Sequence, residues 1–115
     1  MAVWNLTRCS YLGRRLIQLN ENFPRTLLHL NDTGIPAGCA LWISPCQGIY
    51  TVGMRKTVDI AFLDGDMKVV KMLRKFPPGC FAEPAEGSVS ALELPADTLA
   101  ETGTSLGDTV VVDPA

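Results

Sequence analysis

The chain has 115 residues, of which 47% are hydrophobic and 19% charged, and its formal net charge is −2. A chain of this size and composition can bury one ordinary hydrophobic core, so we expect a single domain over residues 1–115 and exclude intrinsic disorder. The slightly acidic net charge and the scattered basic residues argue against a nucleic-acid-binding protein.

The first predicted elements are two strands and a short helix. Apolar alternation favours strands over residues 2–6 and 14–19, which we expect to pair with each other. A helix of barely two turns is predicted over residues 24–30, with Asn22 as its cap and residues 31–34 as its end. So short a helix must be stabilised by packing against the sheet.

The middle of the chain gives the clearest strand signals. We predict strands over residues 39–43 and 49–52, followed by a hairpin of two strands over 58–63 and 68–73. The hairpin is the firmest local prediction, because Asp64-Gly65-Asp66 between its strands is typical of a tight turn.

The last third of the chain completes a mainly β pattern. A strand over 89–94, a helix over 98–102 capped by Asp97, and a closing strand over 109–112 after Gly107-Asp108 are predicted. In all, about seven to eight short strands and two short helices favour an antiparallel sandwich or a partly closed barrel. A parallel α/β fold is disfavoured, since the pattern leaves no room for crossover helices.

The charges are divided unequally along the chain. Residues 1–75 carry a net charge of +5 and residues 76–115 a net charge of −7. Such a division can mark a binding face, but a small β fold interleaves its two halves. We therefore favour the interpretation that the opposite charges pair across the surface.

Targeting signals and membrane spans are not predicted. The N-terminal residues lack the basic start and apolar run of a signal peptide, and the longest uncharged stretch, residues 33–54, is interrupted by Gly and Pro. We expect a cytoplasmic protein without a membrane association.

Neither a cofactor nor a metal site is predicted. The four cysteines at positions 9, 39, 46 and 80 contain no C-x-x-C pair, which favours structural thiols over disulfides or a zinc site. The single histidine, His29, would form a catalytic pair with Cys46 or Ser44 only if the fold happened to bring them together. No acid that could orient the histidine is evident. Because no complete catalytic set is present, we do not expect an enzyme.

One polar cluster stands out before and at the start of the clearest strand. It consists of Tyr50, Thr51, Met54, Arg55 and Asp59. A bend at Gly53 could gather these side chains into a pocket in which Arg55 holds an anionic group and Tyr50 and Thr51 add hydrogen bonds. Alternatively, Asp59 caps a turn or pairs with Arg55 for structural reasons, which is the interpretation we favour.

Two blocks of sequence resemble a known family. The run CQGIYTVGMRKTVDIAFLD at residues 46–64, and LELPADT at residues 92–98 followed by Gly103 and Gly107-Asp108, are similar to the DUF192 family of bacteria and archaea. The resemblance covers roughly residues 23–112 and implies a β-dominated, sandwich-like fold. It implies no settled activity, and Tyr50 and Val52 stand where that family often has a histidine and an aromatic residue.

These observations predict a non-catalytic binding or assembly module. Its expected partner is a protein or a small anionic ligand, and the sequence leaves the oligomeric state open. The alternative is a small-molecule-binding protein or hydrolase with a pocket at Tyr50, Arg55 and Asp59.

Overall fold

The computed structural model describes residues 1–20 and 30–113. Most of the predicted helix over residues 24–30, together with Asn22 and His29, lies outside these residues. The described part contains two four-residue helices, α1 (Leu30–Thr33) and α2 (Thr98–Glu101). It also contains ten strands: β1 (Ala2–Asn5), β2 (Ser10–Gly13), β3 (Arg15–Leu19), β4 (Cys39–Ile43), β5 (Ile49–Tyr50), β6 (Val58–Asp64), β7 (Val69–Phe76), β8 (Phe81–Ala82), β9 (Ser88–Pro95) and β10 (Val110–Asp113).

The strands form three sheets. A five-stranded sheet has the order β3-β4-β9-β6-β7, a three-stranded sheet has the order β10-β1-β2, and β5 pairs with β8 in a short ribbon. The expected hairpin is confirmed, because β6 and β7 pair in antiparallel fashion with Ala61 opposite Met72. The Asp64 carboxylate fixes its turn by accepting the NH groups of Asp66 and Lys68 at 2.9 and 3.0 Å.

The predicted pairing of the first two strands is wrong. β1 pairs with β2 and β10, whereas β3 lies parallel to β4 in the larger sheet. An intervening strand, β2, takes the place beside β1, and the chain then crosses to the other sheet. Gly13 permits this crossing, because a Cβ atom at this position would lie 2.8 Å from the Cβ atom of Ala40.

Two hydrophobic clusters cover the two faces of the five-stranded sheet. Because side chains alternate along a strand, Ile60 and Phe62 of β6 belong to one cluster, while Ala61 and Leu63 belong to the other. The first cluster is completed by the β5-β8 ribbon, and the second by the three-stranded sheet and α2. The mainly β prediction is therefore confirmed in the form of packed sheets that do not close into a barrel.

Two further features bear on the sequence-based expectations. In the described part of the chain no helix has the length and apolar character needed to cross a membrane. All four cysteines are free thiols, of which Cys39 and Cys46 are buried and Cys9 is exposed.

Candidate functional site

The predicted site lies partly in a segment that we call the tip, formed by residues 48–54 and 77–82. Within it Ile49 pairs with Ala82 and Tyr50 with Phe81. Strand alternation directs Ile49 and Ala82 into the core, so that Tyr50 and Phe81 face outward. The ribbon thus anchors the tip on its inner side and presents two aromatic rings on its outer side.

Thr51 holds the two halves of the tip together. Its side chain is fully buried, and its Oγ1 donates to the Pro77 carbonyl oxygen at 2.7 Å and accepts the Cys80 NH at 3.0 Å. Its backbone NH donates to the Cys80 carbonyl oxygen, and its own carbonyl oxygen accepts the Gly79 NH. The Thr51 hydroxyl, which the sequence suggested as a ligand-binding group, therefore bonds backbone groups of the turn over residues 77–80.

Met54 and Arg55 follow Thr51 but lie in contrasting environments. Met54 is buried in the first hydrophobic cluster, and its NH donates to the Thr51 carbonyl oxygen at 3.1 Å. The Arg55 side chain is 78% exposed and pairs with Asp32, with 3.4 Å between Nε and Oδ1. An ion pair this exposed contributes little to stability because water screens it.

Asp59 is fully buried and binds backbone groups on two other elements. Its Oδ1 accepts the NH of Lys75, and its Oδ2 accepts the NH of Leu99, both at 2.9 Å. Lys75 has a φ of 50° at an irregular point of β7, and Leu99 is in the first turn of α2. The carboxylate therefore accepts two backbone NH groups that have no hydrogen-bond partner within the β6-β7 pairing or within α2.

The predicted cap of the second helix requires correction. The helix begins after Asp97 as expected, but the Asp97 side chain makes no capping hydrogen bond. Asp97 has a φ of 76°, and its Oδ1 lies 3.3 Å from Lys75 Nζ. The carboxylate that accepts an NH in the first turn is that of Asp59, which comes from a strand 40 residues before Leu99.

The structure thus groups some of the predicted site residues and separates others. Tyr50, Thr51 and Met54 belong to the tip, whereas Arg55 pairs with Asp32 and Asp59 binds Lys75 and Leu99. From the sequence, a structural role for Asp59 is favoured, either as a cap or as a partner of Arg55; its observed contacts are hydrogen bonds to backbone NH groups, as in a cap. Arg55 and Asp59 therefore do not converge on a common pocket, because each binds different partners.

A depression of about 350 Å³ lies between the end of α1, the residues before β6 and the end of β9. Its polar side chains are those of Thr33, Lys56 and Thr57, and its lining includes none of the predicted site residues. Among residues 1–20 and 30–113, no group of three His, Cys, Asp or Glu side chains is arranged to hold a metal ion.

The outer surface of the tip is apolar. Tyr50 is 64% exposed, Val52 66% and Phe81 41%, and the rings of Tyr50 and Phe81 lie with their centroids 4.5 Å apart at an angle of 40°. The Phe81 ring also covers Gly48, where a Cβ atom would lie 2.5 Å from the Phe81 Cζ atom. Phe81 is not among the residues selected from the sequence, where its one local signal is its position shortly after Pro77-Pro78-Gly79.

A second polar network, also missed from the sequence, joins the two ends of the chain. Asp108 Oδ2 accepts hydrogen bonds from Asn5 Nδ2, Arg8 Nε and the Ser105 NH at 2.9 to 3.1 Å. Burial disfavours the ionised form of Asp108, but the hydrogen bonds from Arg8, Asn5 and Ser105 and the Arg8 charge outweigh it, so the pKa of this carboxyl lies below its ordinary value. Asn5 also donates to Thr104 Oγ1 at 3.0 Å.

Among the residues that the structure describes, two ion pairs connect the basic and acidic parts of the chain. Arg8 pairs with Asp108, and Lys75 pairs with Asp97. In each of these pairs the base comes from residues 1–75 and the acid from residues 76–115, whereas the pair of Arg55 and Asp32 lies within residues 1–75.

Comparison with known proteins gives one family and two similar folds. The model of the family DUF192, described as uncharacterized ACR, matches residues 27–112. No curated protein matches the chain. A protein of unknown function from Novosphingobium aromaticivorans DSM 12444 has a similar structure, with a TM-score of 0.71, 15% identity, and coverage of 96% of this chain and 82% of its own.

The second similar structure is that of a putative transcription regulator from Sinorhizobium meliloti 1021. It has a TM-score of 0.67 and 13% identity, with coverage of 84% of this chain and 79% of its own. At these identities, both structures are evidence for the fold alone.

Proposed function

This chain belongs to the DUF192 family of uncharacterized proteins, and we propose that it is a non-catalytic binding module whose contact surface is the outer side of the tip. The observation that carries the proposal is the exposed set of Tyr50, Val52 and Phe81 on a segment that is otherwise tightly bonded. The partner that fits an apolar, aromatic surface of this kind is another protein.

The rigidity of the tip favours a role in binding. The hydrogen bonds of Thr51 with Pro77, Gly79 and Cys80 fix the backbone beneath the exposed rings. A surface that is already ordered loses little conformational entropy on association. Tyr is also among the side chains that most often dominate binding energies at protein interfaces.

The neighbouring polar groups support a binding module rather than a reactive pocket. The hydroxyl of Thr51 and both carboxylate oxygens of Asp59 are engaged with backbone groups of the fold. A pocket built from Tyr50, Arg55 and Asp59 would require the Asp59 carboxylate to release both NH groups that it binds, one from a buried and one from a partly buried hydrogen bond, at a cost in free energy. The small-molecule or hydrolase alternative therefore ranks below the binding module.

The proposal is tested by affinity capture from a native extract of the source cells. The wild-type chain is compared with a Tyr50→Ser/Val52→Ser variant, and Leu106→Ser is the matched control, because Leu106 is 62% exposed but lies outside the tip. We expect a reproducible partner with the wild type and the control, and at least a tenfold lower yield with the double variant. Urea unfolding checks that all three chains are equally stable.

Two results would overturn the proposal. One is capture of the same partner in equal yield by the double variant. The other is the absence of a reproducible partner together with turnover of a metabolite by the wild-type chain.

A further inference from the structure

The outer face of the three-stranded sheet carries a row of apolar side chains that the proposed function does not use. Trp4 of β1 lies opposite Tyr11 of β2 on one side and Val111 of β10 on the other. We call these three residues the aromatic row. Trp4 and Tyr11 meet edge to face with ring centroids 4.5 Å apart, while Tyr11 is 38% and Val111 40% exposed.

The row borders a shallow depression on the same face. This depression has a volume of about 400 Å³ and is lined by the aromatic row together with Val112 and Asp113. The opposite face of the sheet is buried, because Val3, Leu12 and Val110 belong to the second hydrophobic cluster. The exposed apolar side is therefore not needed to fill the core of the domain.

Charges of opposite sign lie at the two edges of this face. The Arg14 guanidinium lies 4.2 Å from the centroid of the Tyr11 ring, just beyond the end of β2. Asp113 is on β10, opposite Ala2 and two residues after Val111, so it shares the face of the row. Gly13 lies opposite Val3 and Asp113 lies opposite Ala2, so Arg14 and Asp113 are both near the start of β1. They lie on opposite sides of it, because β2 and β10 flank β1.

This arrangement is self-complementary. We infer that the face binds the same face of a second copy of this chain, with a two-fold axis that runs along β1. Such an axis exchanges the two outer strands, so that Tyr11 lies opposite the partner's Val111 and Trp4 lies opposite the partner's Trp4. The same operation brings Arg14 opposite the partner's Asp113, and the pair occurs twice in the dimer.

The geometry also suits ordinary sheet packing. Two sheets that pack face to face keep their strands nearly aligned, as this axis requires. Three strands of four residues offer less than the ~800 Å² per partner of a standard interface, so we expect a weak dimer with a dissociation constant of roughly 10 μM to 1 mM. Part of the affinity is electrostatic, so salt should weaken it.

The test is analytical ultracentrifugation of the full chain from about 10 μM to about 1 mM at low and high salt. We expect the wild type to dimerise, and Arg14→Asp or Asp113→Arg to weaken the dimer at least tenfold by placing like charges opposite each other. The double variant Arg14→Asp/Asp113→Arg restores the opposite charges and should bind at least threefold more tightly than either single variant. Arg15→Asp is the matched control, because Arg15 is adjacent and exposed but belongs to the other sheet.

The outcomes separate cleanly. A wild-type chain that stays monomeric to ~1 mM overturns the inference. So does a double variant that is no tighter than the single variants, or a control that weakens the dimer as much as Arg14→Asp. Circular dichroism verifies that each variant is folded, and these results do not depend on whether the tip binds a protein.

Discussion

Replacing Asp59 with alanine should destabilise the protein more than any substitution of an exposed carboxylate. The side chain is fully buried and accepts the NH groups of Lys75 and Leu99, both at 2.9 Å. Alanine would leave both donors without an acceptor at the junction of β7, β6 and α2. The same substitution also leaves a small void beside Leu99, which belongs to the second hydrophobic cluster.

The size of the effect follows from the two bonds. A buried donor left without an acceptor costs about 1–3 kcal/mol, and because the Leu99 hydrogen bond is buried but the Lys75 hydrogen bond only partly buried, roughly 6 kcal/mol is an upper limit for the pair. Relief of the cost of burying a carboxylate offsets part of this, so we expect a loss of about 3 kcal/mol. Asp59→Asn keeps one acceptor oxygen and should lose less, although its amide NH₂ then faces one of the two donors.

Urea unfolding followed by circular dichroism measures the effect. With a slope of about 1–3 kcal/mol per molar urea, the midpoint of Asp59→Ala should fall by about 1–3 M. Asp66→Ala is the control, because Asp66 lies exposed in the β6-β7 turn and its substitution should change stability by no more than about 0.5 kcal/mol. A loss below about 1 kcal/mol for Asp59→Ala would refute the structural role assigned to this carboxylate.

Two further predictions concern the other buried polar groups. Thr51→Val removes the acceptor for the Cys80 NH and the donor to the Pro77 carbonyl, so it should lower the free energy of unfolding by about 1–3 kcal/mol. It should also accelerate hydrogen exchange at the Cys80 NH about tenfold or more. Unchanged exchange would contradict the hydrogen bonds described. The pKa of Asp108 is lowered in the folded state, so its stabilising contribution is present above the unfolded pKa of about 4 and is lost as the pH falls through the folded value. Asp108→Asn should therefore be less stable than the wild type at pH 7 and closer to it at about pH 2–3, as measured by urea unfolding, and a stability difference that does not depend on pH would count against this account.

Local signals in the sequence were sufficient for the β6-β7 hairpin. Its turn, Asp64-Gly65-Asp66, joins strands that are adjacent along the chain, so the pairing partner needed no long-range information. The pairing of β3 with β4 could not be predicted in this way. It depends on the crossing at Gly13 and on a parallel register with residues more than twenty positions away.

The same distinction applies to the candidate site. The sequence points to a segment in which polar residues occur among apolar ones, but it could not identify their partners. Asp59 accepts the NH of Leu99, which is 40 positions away, whereas the Asp97 side chain, directly before α2, makes no capping hydrogen bond. Phe81 joins Tyr50 only because β8 returns beside β5 after the Pro-Pro-Gly turn.

The most direct test of the tip as the contact surface is hydrogen exchange of the captured complex compared with that of the free chain. We expect new protection in the tip, residues 48–54 and 77–82, where Tyr50, Val52 and Phe81 would be covered by the partner. New protection confined to other parts of the chain, with unchanged exchange at the tip, would contradict the account.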